Sequence, residues 1–581
     1  MASLEEKRHT LAHLLAAAVL ERYPHAKPTI GPAVDTGFYY DFDFSGGDAP
    51  GEADLKDLLN SMRELLPSWT EMTGTVVSEA DARDRFAGNP YKLELIDGIV
   101  AAGEPITLYT AGGFTDLCRG GHSEQPAKDI RVGSWNLERI AGAYWRGDES
   151  KPMLTRIYGL AFETKDELNA YKVQMEEAKK RDHRKLGAEL KLFTVSPLVG
   201  SGLPLLQPKG AIIRREIEEY LWQLHQDKGY GRVWTPHLAK EDLYITSGHA
   251  GHYLDDMFSV YGGTSKEKFH LKPMNCPHHL QIFADNQFSY RDMPVRYFEP
   301  ATVYRDEKTG QLSGLTRVRA ITQDDGHLFC RPSQIEVEVG SIVSIIKEFY
   351  ATMHMLEGYW VSLSVRGPEG KYLGSDDVWE KAEAALEKAA KENDLPYKRV
   401  EGEAAFYGPK LDFMFKDAIG REWQLATIQC DFNLPERFEL SYTNEAGEKE
   451  QPVLIHRAIS GSLERFMGVM IEHFAGAFPV WLSPIQARVL PISEHHLDYA
   501  YEVQAALKAA GVRVDVDAAS ESLGKKIRGA KMEKIPYLLV VGDKEAEDRT
   551  VSAEGRGDEK LGALPLAGFV ERIVEEIRTR A

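Results

Sequence analysis

The residues best suited to chemistry lie between positions 295 and 327, where charged and apolar side chains are interleaved. An apolar-rich run leads to Arg305, a loop containing Gly and Ser follows, and a second extended run begins near Arg317, which predicts a long β-hairpin. Side chains alternate between the two faces of a strand. A solvated edge strand and an active-site face fit the resulting pattern equally well. One face of the second strand would carry the polar residues at odd positions, which are Arg317, Arg319, Gln323, Asp325 and His327.

A second group of candidate residues consists of two pairs with i, i+4 spacing, His9/His13 and Cys118/His122. A helix predicted for residues 4–22 would place both histidines on one face. Imidazole and thiolate groups are zinc ligands, and this spacing is typical of a zinc site. A lone pair of helical histidines is more often an ordinary surface feature, but the second pair contains a cysteine and favours one shared site.

The elements that must position these residues predict a multidomain α+β and α/β protein. Residues 1–162 contain helices and Gly- and Pro-punctuated segments, which predicts an N-terminal α+β domain. Residues 163–190 are charged and helical in period, which predicts a linker helix. Residues 191–483 mix long strands and helices without βαβ order, which favours an antiparallel α+β domain. Residues 484–581 alternate strand and helix, which predicts a small α/β domain with a mainly parallel sheet.

Composition limits the classes of function. The chain has 581 residues and a formal net charge of −19, which argues against a protein that coats nucleic acid non-specifically, although a local basic surface remains possible. Its four cysteines are too scattered for a disulfide framework. The N-terminus lacks a cleavage pattern, and no stretch is long enough to span a bilayer. We therefore expect a cytoplasmic protein without a membrane partner.

Several motifs resemble those of a known family. They are HTLAH, DLCRGGH and AGAYWRGD near the N-terminus, and KPMNCPHH (272–279), YRDEKTGQLSGLTRVRAITQDDGHLFC (304–330), FYGPKLDF (406–413) and HRAISGSLERFMG (456–468) further on. Over essentially the whole chain, they resemble the threonyl-tRNA synthetases, which are class II aminoacyl-tRNA synthetases. The resemblance implies an N-terminal editing domain, a class II catalytic domain and a C-terminal anticodon-binding domain. We expect a bacterial-type member that lacks the ubiquitin-like module with which many relatives begin.

The reaction that the resemblance implies is ATP-dependent activation of L-threonine, with Mg²⁺ on the ATP, followed by transfer to tRNA(Thr). Charge develops on phosphate oxygens in the first step, so fixed guanidiniums are expected there. Arg305 matches the contact to the α-phosphate, and Arg465 matches the contact to the γ-phosphate. Glu307 and Arg317 match residues that hold the adenine and the triphosphate. Structural ion pairs are the alternative role for any one of these arginines.

Other positions match residues around the amino acid and the accepting ribose. His249 matches the histidine that helps to deprotonate the ribose, and an imidazole suits such a proton shuttle. His252 is a competing candidate in the same loop. The remaining matches to active-site residues are Gln323, Asp325, Tyr407, Lys410, Gln424, Gln429 and Ser462.

Cys276, His327 and His456 match three zinc ligands of the family, although their separation in sequence gives no such signal. Three protein ligands leave a position open for substrate. Binding through the amine and hydroxyl of threonine would reject valine, which a hydrophobic pocket separates by only ~10²-fold. A buried structural cysteine with two hydrogen-bonded histidines is the alternative interpretation.

Serine keeps both the amine and the hydroxyl, so a second, hydrolytic site is expected. By resemblance the N-terminal domain provides it. The residue types alone indicate a zinc site, whereas the resemblance implies metal-free removal of serine from mischarged tRNA, and both possibilities stay open. The matching residues are His9, His13, Lys92, Asp116, Cys118 and His122.

Binding of tRNA is expected at basic runs in residues 179–185 and 525–534, although a solvated helix face fits either run. Glu545 matches an anticodon-reading residue. Two positions depart from the family pattern, with ASES at 519–522 and Glu554 where an arginine is usual, and Arg556 is a candidate substitute. A homodimer is expected through residues 210–236. A synthetase-like RNA-binding regulator and an inhibitor-resistant duplicate enzyme are the alternative functions.

Overall fold

The structure of the chain, a computed structural model, describes residues 2–253, 256–264, 266–368 and 372–581. It divides into two compact units, Met1–Glu176 and Glu177–Ala581. Among these described residues, no helix combines the length and the apolar character needed to cross a membrane.

The first unit combines helices with antiparallel sheets, as expected for an α+β fold. Its first helix begins with a capping box, because the Ser3 hydroxyl accepts the Glu6 N–H while the Glu6 carboxylate accepts the Ser3 N–H. One sheet has the strand order β1-β3-β8-β7 with β2 paired to β3, and the other has the order β4-β5-β6. The elements are α1 (Leu4–Arg22), β1 (Lys27–Pro28), β2 (Ala33–Val34), β3 (Gly37–Asp43), α2 (Leu55–Leu65), β4 (Met72–Val77), α3 (Glu79–Arg85), α4 (Pro90–Ala101), β5 (Ile106–Ala111), β6 (Phe114–Leu117), α5 (Pro126–Asp129), β7 (Trp135–Tyr144) and β8 (Met153–Ala161).

The expected linker helix is divided into two helices, α6 (Lys165–Arg181) and α7 (His183–Glu189). Asp182 separates them, because its carboxylate accepts the Arg184 N–H and caps the second helix. The division between the compact units falls inside α6. The domain boundaries given above therefore stay predictions.

The central part of the second unit is built on an eight-stranded sheet with the order β11-β15-β16-β23-β20-β19-β17-β18. Its pairings are antiparallel except at the two edges, where β11 runs parallel to β15 and β18 to β17. The antiparallel α+β prediction is confirmed. The elements are β9 (Phe193–Thr194), β10 (Leu205–Leu206), α8 (Pro208–Gln226), β11 (Gly231–Arg232), β12 (Leu238–Lys240), α9 (Glu241–Ser247), α10 (Ala250–Tyr253), β13 (Ser259–Tyr261), β14 (Lys268–Leu271), α11 (Cys276–Ala284), β15 (Val295–Tyr304), β16 (Ala320–Cys330), α12 (Ile335–Thr352), β17 (Trp360–Val365), α13 (Asp376–Glu392), β18 (Tyr397–Glu401), β19 (Lys410–Lys416), β20 (Glu422–Asp431), α14 (Asn433–Arg437), β21 (Tyr442–Thr443), β22 (Lys449–Glu450), β23 (Val453–Ser462) and α15 (Leu463–His473).

The predicted hairpin is formed by β15 and β16, which pair from Tyr304↔Ala320 to Val295↔Phe329. Because β16 begins at Ala320, Arg317 and Arg319 precede the strand. The prediction that all five polar residues share one strand face is therefore wrong for these two arginines. Helix α12 covers the opposite face of the sheet, and its buried Ile342, Ile346 and Phe349 lie in the main hydrophobic core.

The C-terminal part has a five-stranded sheet with the order β25-β24-β26-β27-β28. The α/β prediction is confirmed, but the sheet is not mainly parallel. The first two pairings are parallel and the last two are antiparallel, since residues 550–565 form a hairpin that was not recognised in the sequence. The elements are β24 (Ala487–Pro491), α16 (Leu497–Ala509), β25 (Val514–Val516), α17 (Leu523–Met532), β26 (Tyr537–Val541), α18 (Asp543–Asp548), β27 (Thr550–Gly555), β28 (Lys560–Pro565) and α19 (Leu566–Thr579).

Candidate active site

A cavity of about 460 Å³ lies over the middle strands of the eight-stranded sheet. Strand β16 contributes alternate residues to it, from Ile321 to His327, as the period of a strand requires. The segment before β16, strands β20 and β23, and the start of α15 form the remaining walls. Most of the predicted site residues line this one cavity. They are Cys276, Arg305, Glu307, Arg317, Gln323, Asp325, His327, Tyr407, Gln424, Gln429, His456, Ser462 and Arg465.

One end of the cavity is cationic, because Arg305, Arg317 and Arg465 all line it. Arg317 is paired with Glu307, and their closest N–O distance is 2.7 Å. Burial, and then the positive charge of Arg317, lowers the pKa of Arg465. In the described part of the chain, the buried Nε of Arg465 has no hydrogen-bond partner. Like charges held together in this way form a receptor for a polyanion.

The first turn of α15 fixes the position of Arg465. The Ser462 hydroxyl accepts the Arg465 N–H at 3.2 Å and caps the helix. The guanidinium carbon of Arg465 lies 5.9 Å from the ring of Trp423, close enough for a cation–π contact. Helix capping and ring contact therefore hold this side chain at the cavity wall.

The other end of the cavity holds Cys276, His327 and His456, whose possible ligand atoms all lie within 4.8 Å of one another. The sheet explains part of this arrangement. His327 of β16 is directly opposite His456 of β23, which is directly opposite Gln429 of β20. Directly opposite residues in antiparallel strands have neighbouring side chains. The three residues form a row across the sheet, and Cys276 meets the row from the start of α11.

Each histidine of this cluster is held through its outer nitrogen. His456 Nε2 lies 2.9 Å from Asp431 Oδ2, and His327 Nδ1 lies 2.8 Å from His279 Nδ1. His279 in turn contacts the Glu299 carboxylate at 3.0 Å. The inner nitrogens, His327 Nε2 and His456 Nδ1, face each other at 3.0 Å. Such carboxylate-supported imidazoles are typical of metal ligands.

Burial sets the protonation of the cluster before any ion binds. It raises the pKa of the Cys276 thiol well above its ordinary value and lowers that of the His327 imidazole. A neutral imidazole is the form that a metal accepts, whereas the thiol would lose its proton on metal binding. One sulfur and two nitrogen donors suit zinc with one open position.

Tyr407 and Asp325 lie beside the cluster. The buried Tyr407 donates its hydroxyl hydrogen to the Gln429 side-chain oxygen, and its ring centre is 5.0 Å from that of His456. Asp325 is half-buried, and burial raises its pKa. An amide, a carboxylate and a phenol therefore surround the open side of the three donors.

Two predicted catalytic residues and one predicted face residue do not line the cavity. His249 is buried behind it, with Nε2 at 3.1 Å from Met274 Sδ and 3.7 Å from Cys276 Sγ. Lys410 forms an ion pair with Asp412, which also accepts hydrogen bonds from Gln424 and Thr427. Arg319 donates to the carbonyl oxygen of Glu307. The side chain of His252 lies outside the described residues.

Several residues that support the site were not identified from the sequence. Lys272 and Asn275 are buried beside Glu299, and the amide of Asn275 contacts it at 2.8 Å. Arg457 is fully buried and donates to the Asp324 carbonyl oxygen at 2.6 Å. It crosses Gly326 so closely that a Cβ there would lie 2.2 Å from the guanidinium carbon. The signal available in the sequence was a glycine, Gly326, within an alternating strand, because a glycine in a strand often marks a place where another group approaches the backbone closely.

The first unit contains the second predicted cluster, in which His9, His13, Cys118 and His122 hold their possible ligand atoms within 4.8 Å. The two histidines of α1 meet Cys118 and His122 from the segment after β6. Cys118 Sγ lies 3.2 Å from His122 Nε2 and 3.5 Å from His9 Nε2. Burial alone would raise the pKa of Cys118, but hydrogen bonds from the three histidines lower it to about 3.

Asp116 connects this cluster to the interior of the first unit. Its carboxylate contacts Lys92, His13 and the Tyr40 hydroxyl. Burial would lower the pKa of His13, but hydrogen bonds to Asp116 and Cys118 raise it to about 9. These shifts favour an imidazolium at His13 beside a thiolate at Cys118, and the six predicted residues lie together.

In the C-terminal domain, the surroundings of Arg556 do not fit the role expected for it, in which it replaces a missing arginine. Glu545 accepts the Gly542 N–H at 3.0 Å, and Glu554 is paired with Lys531 at 2.6 Å. Ser520 lines a separate cavity of about 380 Å³. The Arg556 guanidinium donates to the Phe478 and Lys534 carbonyl oxygens and to the Ser483 hydroxyl. These bonds occupy all its nitrogens, which argues against Arg556 as a substitute for the missing arginine.

Comparison with known proteins agrees with this geometry. Residues 258–474 match the tRNA synthetase class II core domain (G, H, P, S and T), and residues 486–576 match an anticodon binding domain. The threonine–tRNA ligase of Rubrobacter xylanophilus is 48% identical over 99% of this chain and 89% of its own length. That of Thermus thermophilus is 47% identical over 99% of this chain and 88% of its own length.

A solved structure gives the same result. The crystal structure of the RNA binding domain of threonyl-tRNA synthetase from Cryptosporidium parvum covers 68% of this chain and 98% of its own length. It is 37% identical, with a TM-score of 0.65. On the strength of its cavity, its fold and these relatives, the chain belongs to the threonine–tRNA ligase family of class II aminoacyl-tRNA synthetases.

Proposed function

We propose that the cavity over the eight-stranded sheet activates L-threonine with ATP and Mg²⁺, and that the threonyl group is then transferred to tRNA(Thr). One observation carries the proposal: three arginines and a Cys–His–His cluster line the same cavity. Along β16, Gln323 and Asp325 lie between the cationic end and the cluster. ATP and the amino acid therefore have adjacent, chemically distinct places.

In the activation step, the threonine carboxylate attacks the α-phosphorus of ATP, and pyrophosphate leaves with Mg²⁺. Arg305 is assigned to the α-phosphate and Arg465 to the γ-phosphate, where fixed cations stabilise the charge that develops. Arg317 and Glu307, held together as an ion pair, are assigned to the nucleotide. The unpartnered Nε of Arg465 and its proximity to a like charge support a phosphate there.

The amino-acid end fits a zinc ion held by Cys276, His327 and His456. Bound zinc would supply a Lewis-acid position for the amine and hydroxyl of threonine, a pair of groups that valine lacks. Asp325 would face the substrate amine, and the Tyr407–Gln429 hydrogen bond would shape the pocket beside it. Asp431 and the His279–Glu299 pair would keep both imidazoles oriented.

Transfer to tRNA requires a proton to leave the accepting ribose hydroxyl. His249 is our candidate for this role on the strength of its motif, and its position 3.7 Å from Cys276 Sγ places it next to the amino-acid end. Lys410 and Gln424 are linked through Asp412 and would support the same wall of the cavity.

We assign the cluster in the first unit to hydrolysis of mischarged seryl-tRNA(Thr). Its imidazolium and thiolate would orient a water molecule and the ribose, while Lys92 and Asp116 keep the charges balanced. The same four donors, His9, His13, Cys118 and His122, also suit a zinc ion. Metal analysis of the purified Cys276→Ser variant, from which the zinc proposed at Cys276, His327 and His456 should be lost, decides between these two forms.

We further propose that the C-terminal domain, with Glu545 and the basic run of α17, binds the anticodon, and that the enzyme acts in the cytoplasm as a homodimer. An exposed aromatic side chain just after β11 supports the dimer, since Trp234 is 81% exposed. An RNA-binding regulator without catalysis is disfavoured, because the arginines and the Cys–His–His cluster are both retained.

The decisive test is threonine-dependent ATP–pyrophosphate exchange followed by charging of tRNA(Thr). We expect both activities, and a Cys276→Ser variant should lose bound zinc together with exchange. Exchange without charging would contradict the transfer step, and absence of both would favour the regulator.

For the hydrolytic site, His9→Ala and Cys118→Ala should abolish release of serine from seryl-tRNA(Thr), with Cys330→Ala as the control. Unchanged release would refute that assignment.

A further inference from the structure

His183, at the start of α7, contacts a segment of the cavity although it lies outside the cavity itself. Its Nε2 accepts the backbone N–H of Leu315 at 3.0 Å, and its Nδ1 lies 2.6 Å from Glu472 Oε1. A backbone N–H can only donate, so Nε2 carries no hydrogen and the hydrogen is on Nδ1. The imidazole is therefore a fixed link between a helix and the segment that contains Thr316 and Arg317.

Glu472, near the end of α15, continues this link on its other side. Its Oε1 also accepts the His183 backbone N–H at 3.0 Å, and its Oε2 lies 2.6 Å from Arg421 Nη2. The residue is buried. One carboxylate thus makes hydrogen bonds with His183 through Oε1 and an ion pair with Arg421 through Oε2, and the second contact lacks hydrogen-bond geometry.

From Arg421 the link reaches the phosphate end of the cavity. Arg421 Nε donates to Asp417 Oδ2 at 2.7 Å, and the same oxygen accepts the Trp423 indole N–H at 3.0 Å. The Trp423 ring is the one that lies 5.9 Å from the Arg465 guanidinium. Glu472 is therefore connected to both nucleotide-facing arginines, to Arg317 through His183 and to Arg465 through Arg421.

Close packing makes the His183 contact sensitive to small changes. Gly314 has a φ of +49°, and a Cβ on it would lie 2.1 Å from His183 Nε2. Gly468 of α15 leaves room for the same segment, since a Cβ there would lie 3.3 Å from the Cβ of Leu315. The segment at Gly314 and Leu315 is thus closely packed between the His183 imidazole and α15.

We propose that His183 and Glu472 are positioning residues for ATP, which fix the positions of the Ser313–Arg317 segment and of Arg465 relative to each other from outside the cavity. This inference rests on the proposed adenylation reaction. It concerns residues that touch neither ATP nor threonine, so its effect should appear in the KM for ATP and not in the KM for threonine. Asp182, His183 and Glu472 could also be regarded as a metal site. The two ring nitrogens of His183 already have partners, which favours the positioning role.

Two substitutions of His183 separate the two hydrogen bonds. In His183→Asn, the amide nitrogen occupies the place of Nδ1 and keeps the bond to Glu472, but the acceptor for Leu315 is lost. In His183→Gln, the amide oxygen occupies the place of Nε2 and keeps the bond to Leu315. Loss of one buried hydrogen bond corresponds to about tenfold in a binding constant. In pyrophosphate exchange we expect His183→Asn to raise the KM for ATP about tenfold, His183→Gln to raise it less, and both to leave the KM for threonine within about twofold.

The matched control is His496→Asn, which alters a buried histidine that is also paired with a carboxylate, Asp543, but lies in the C-terminal sheet domain. It should leave both KM values unchanged. Arg421→Gln is the second variant if His183→Asn does not fold, because it cuts the link to Arg465 at a partly exposed residue and should also raise only the KM for ATP. Equal changes in both KM values, or lower thermal stability with unchanged kinetics, would overturn the proposal. Absence of exchange in the unmodified chain would instead contradict the adenylation reaction itself.

Discussion

The Asp431→Asn substitution probes how the amino-acid end of the cavity is organised. Asp431 is fully buried and receives three hydrogen bonds: two from the backbone N–H groups of Asn433 and Leu434 to Oδ1, at 2.8 and 2.9 Å, and one from His456 Nε2 to Oδ2, at 2.9 Å. An amide oxygen can keep the first two bonds. The amide nitrogen then faces His456, and because it donates, His456 Nε2 must become an acceptor.

This reversal moves the imidazole hydrogen to Nδ1, the nitrogen that faces His327 and Cys276. A protonated nitrogen cannot bind a metal ion. Loss of a supporting partner of this kind lowers metal affinity by about 10–100-fold, which is about 1.4–2.7 kcal/mol. We expect zinc affinity to fall by this factor, and the KM for threonine to rise with it, while the KM for ATP changes less than about twofold.

Zinc affinity is measured by competition with a chromogenic chelator, and the KM values by pyrophosphate exchange at saturating zinc and at limiting zinc. Asp543→Asn is the control, since Asp543 also contacts a histidine, His496, at Nε2 at 3.0 Å, in a pair outside the cavity whose carboxylate is exposed. Unchanged zinc affinity in Asp431→Asn would refute the tautomer argument. An equal loss in Asp543→Asn would show that the effect is one of general stability.

Three other outcomes are expected. Iodoacetamide should alkylate Cys118 at a rate independent of pH between 5 and 8, because a pKa of about 3 keeps Cys118 a thiolate throughout this range. In His13→Asn, the rate should rise with pH. Peptide mass spectrometry measures both rates, and a rate that rises with pH in the unmodified chain would contradict the thiolate. Gly326→Ala should lower the free energy of unfolding, measured by thermal denaturation, by about 2–4 kcal/mol because it displaces Arg457. In a double variant with Arg457→Met, the loss should be smaller than the sum of the two single losses. Arg465→Lys should raise the KM for ATP by about 10–100-fold with little change in the KM for threonine, since an ammonium point charge replaces a planar guanidinium that can form two parallel hydrogen bonds. An unchanged KM for ATP in exchange assays would remove Arg465 from the phosphate site.

The alternation of a strand was enough to predict that Gln323, Asp325 and His327 share a face. It could not show where the strand begins. Arg317 and Arg319 precede it, in a segment that is held by hydrogen bonds from its backbone N–H groups to His183 and Gly202, which are distant in sequence. The C-terminal hairpin at 550–565 was missed for a local reason: Gly555, Gly557 and Gly562 interrupt its alternation.

The supporting residues show the limit of a single sequence more clearly. Nothing in the local pattern connects Asp431 with His456 or Glu299 with His279, since each pair forms only when strands and helices have assembled. The motif resemblance supplied Cys276, His327 and His456 together, and the spacing of these residues alone did not. His249 was matched by motif as well, yet its ring lies behind the cavity, because a motif fixes residue type and position along the chain but not the direction of a side chain.

The row formed by His327, His456 and Gln429 across three adjacent strands has a consequence for evolution and redesign. In the proposed function, the amino acid is recognised by residues that become neighbours through the backbone pairing of the sheet. The arginines assigned to the nucleotide, Arg305, Arg317 and Arg465, lie outside β16, β20 and β23, where substitutions leave the strand pairing intact. A change in nucleotide binding is therefore accessible through single substitutions outside β16, β20 and β23. A change of amino-acid specificity would have to begin at Gln323, Asp325 or Tyr407, which surround the row without belonging to it.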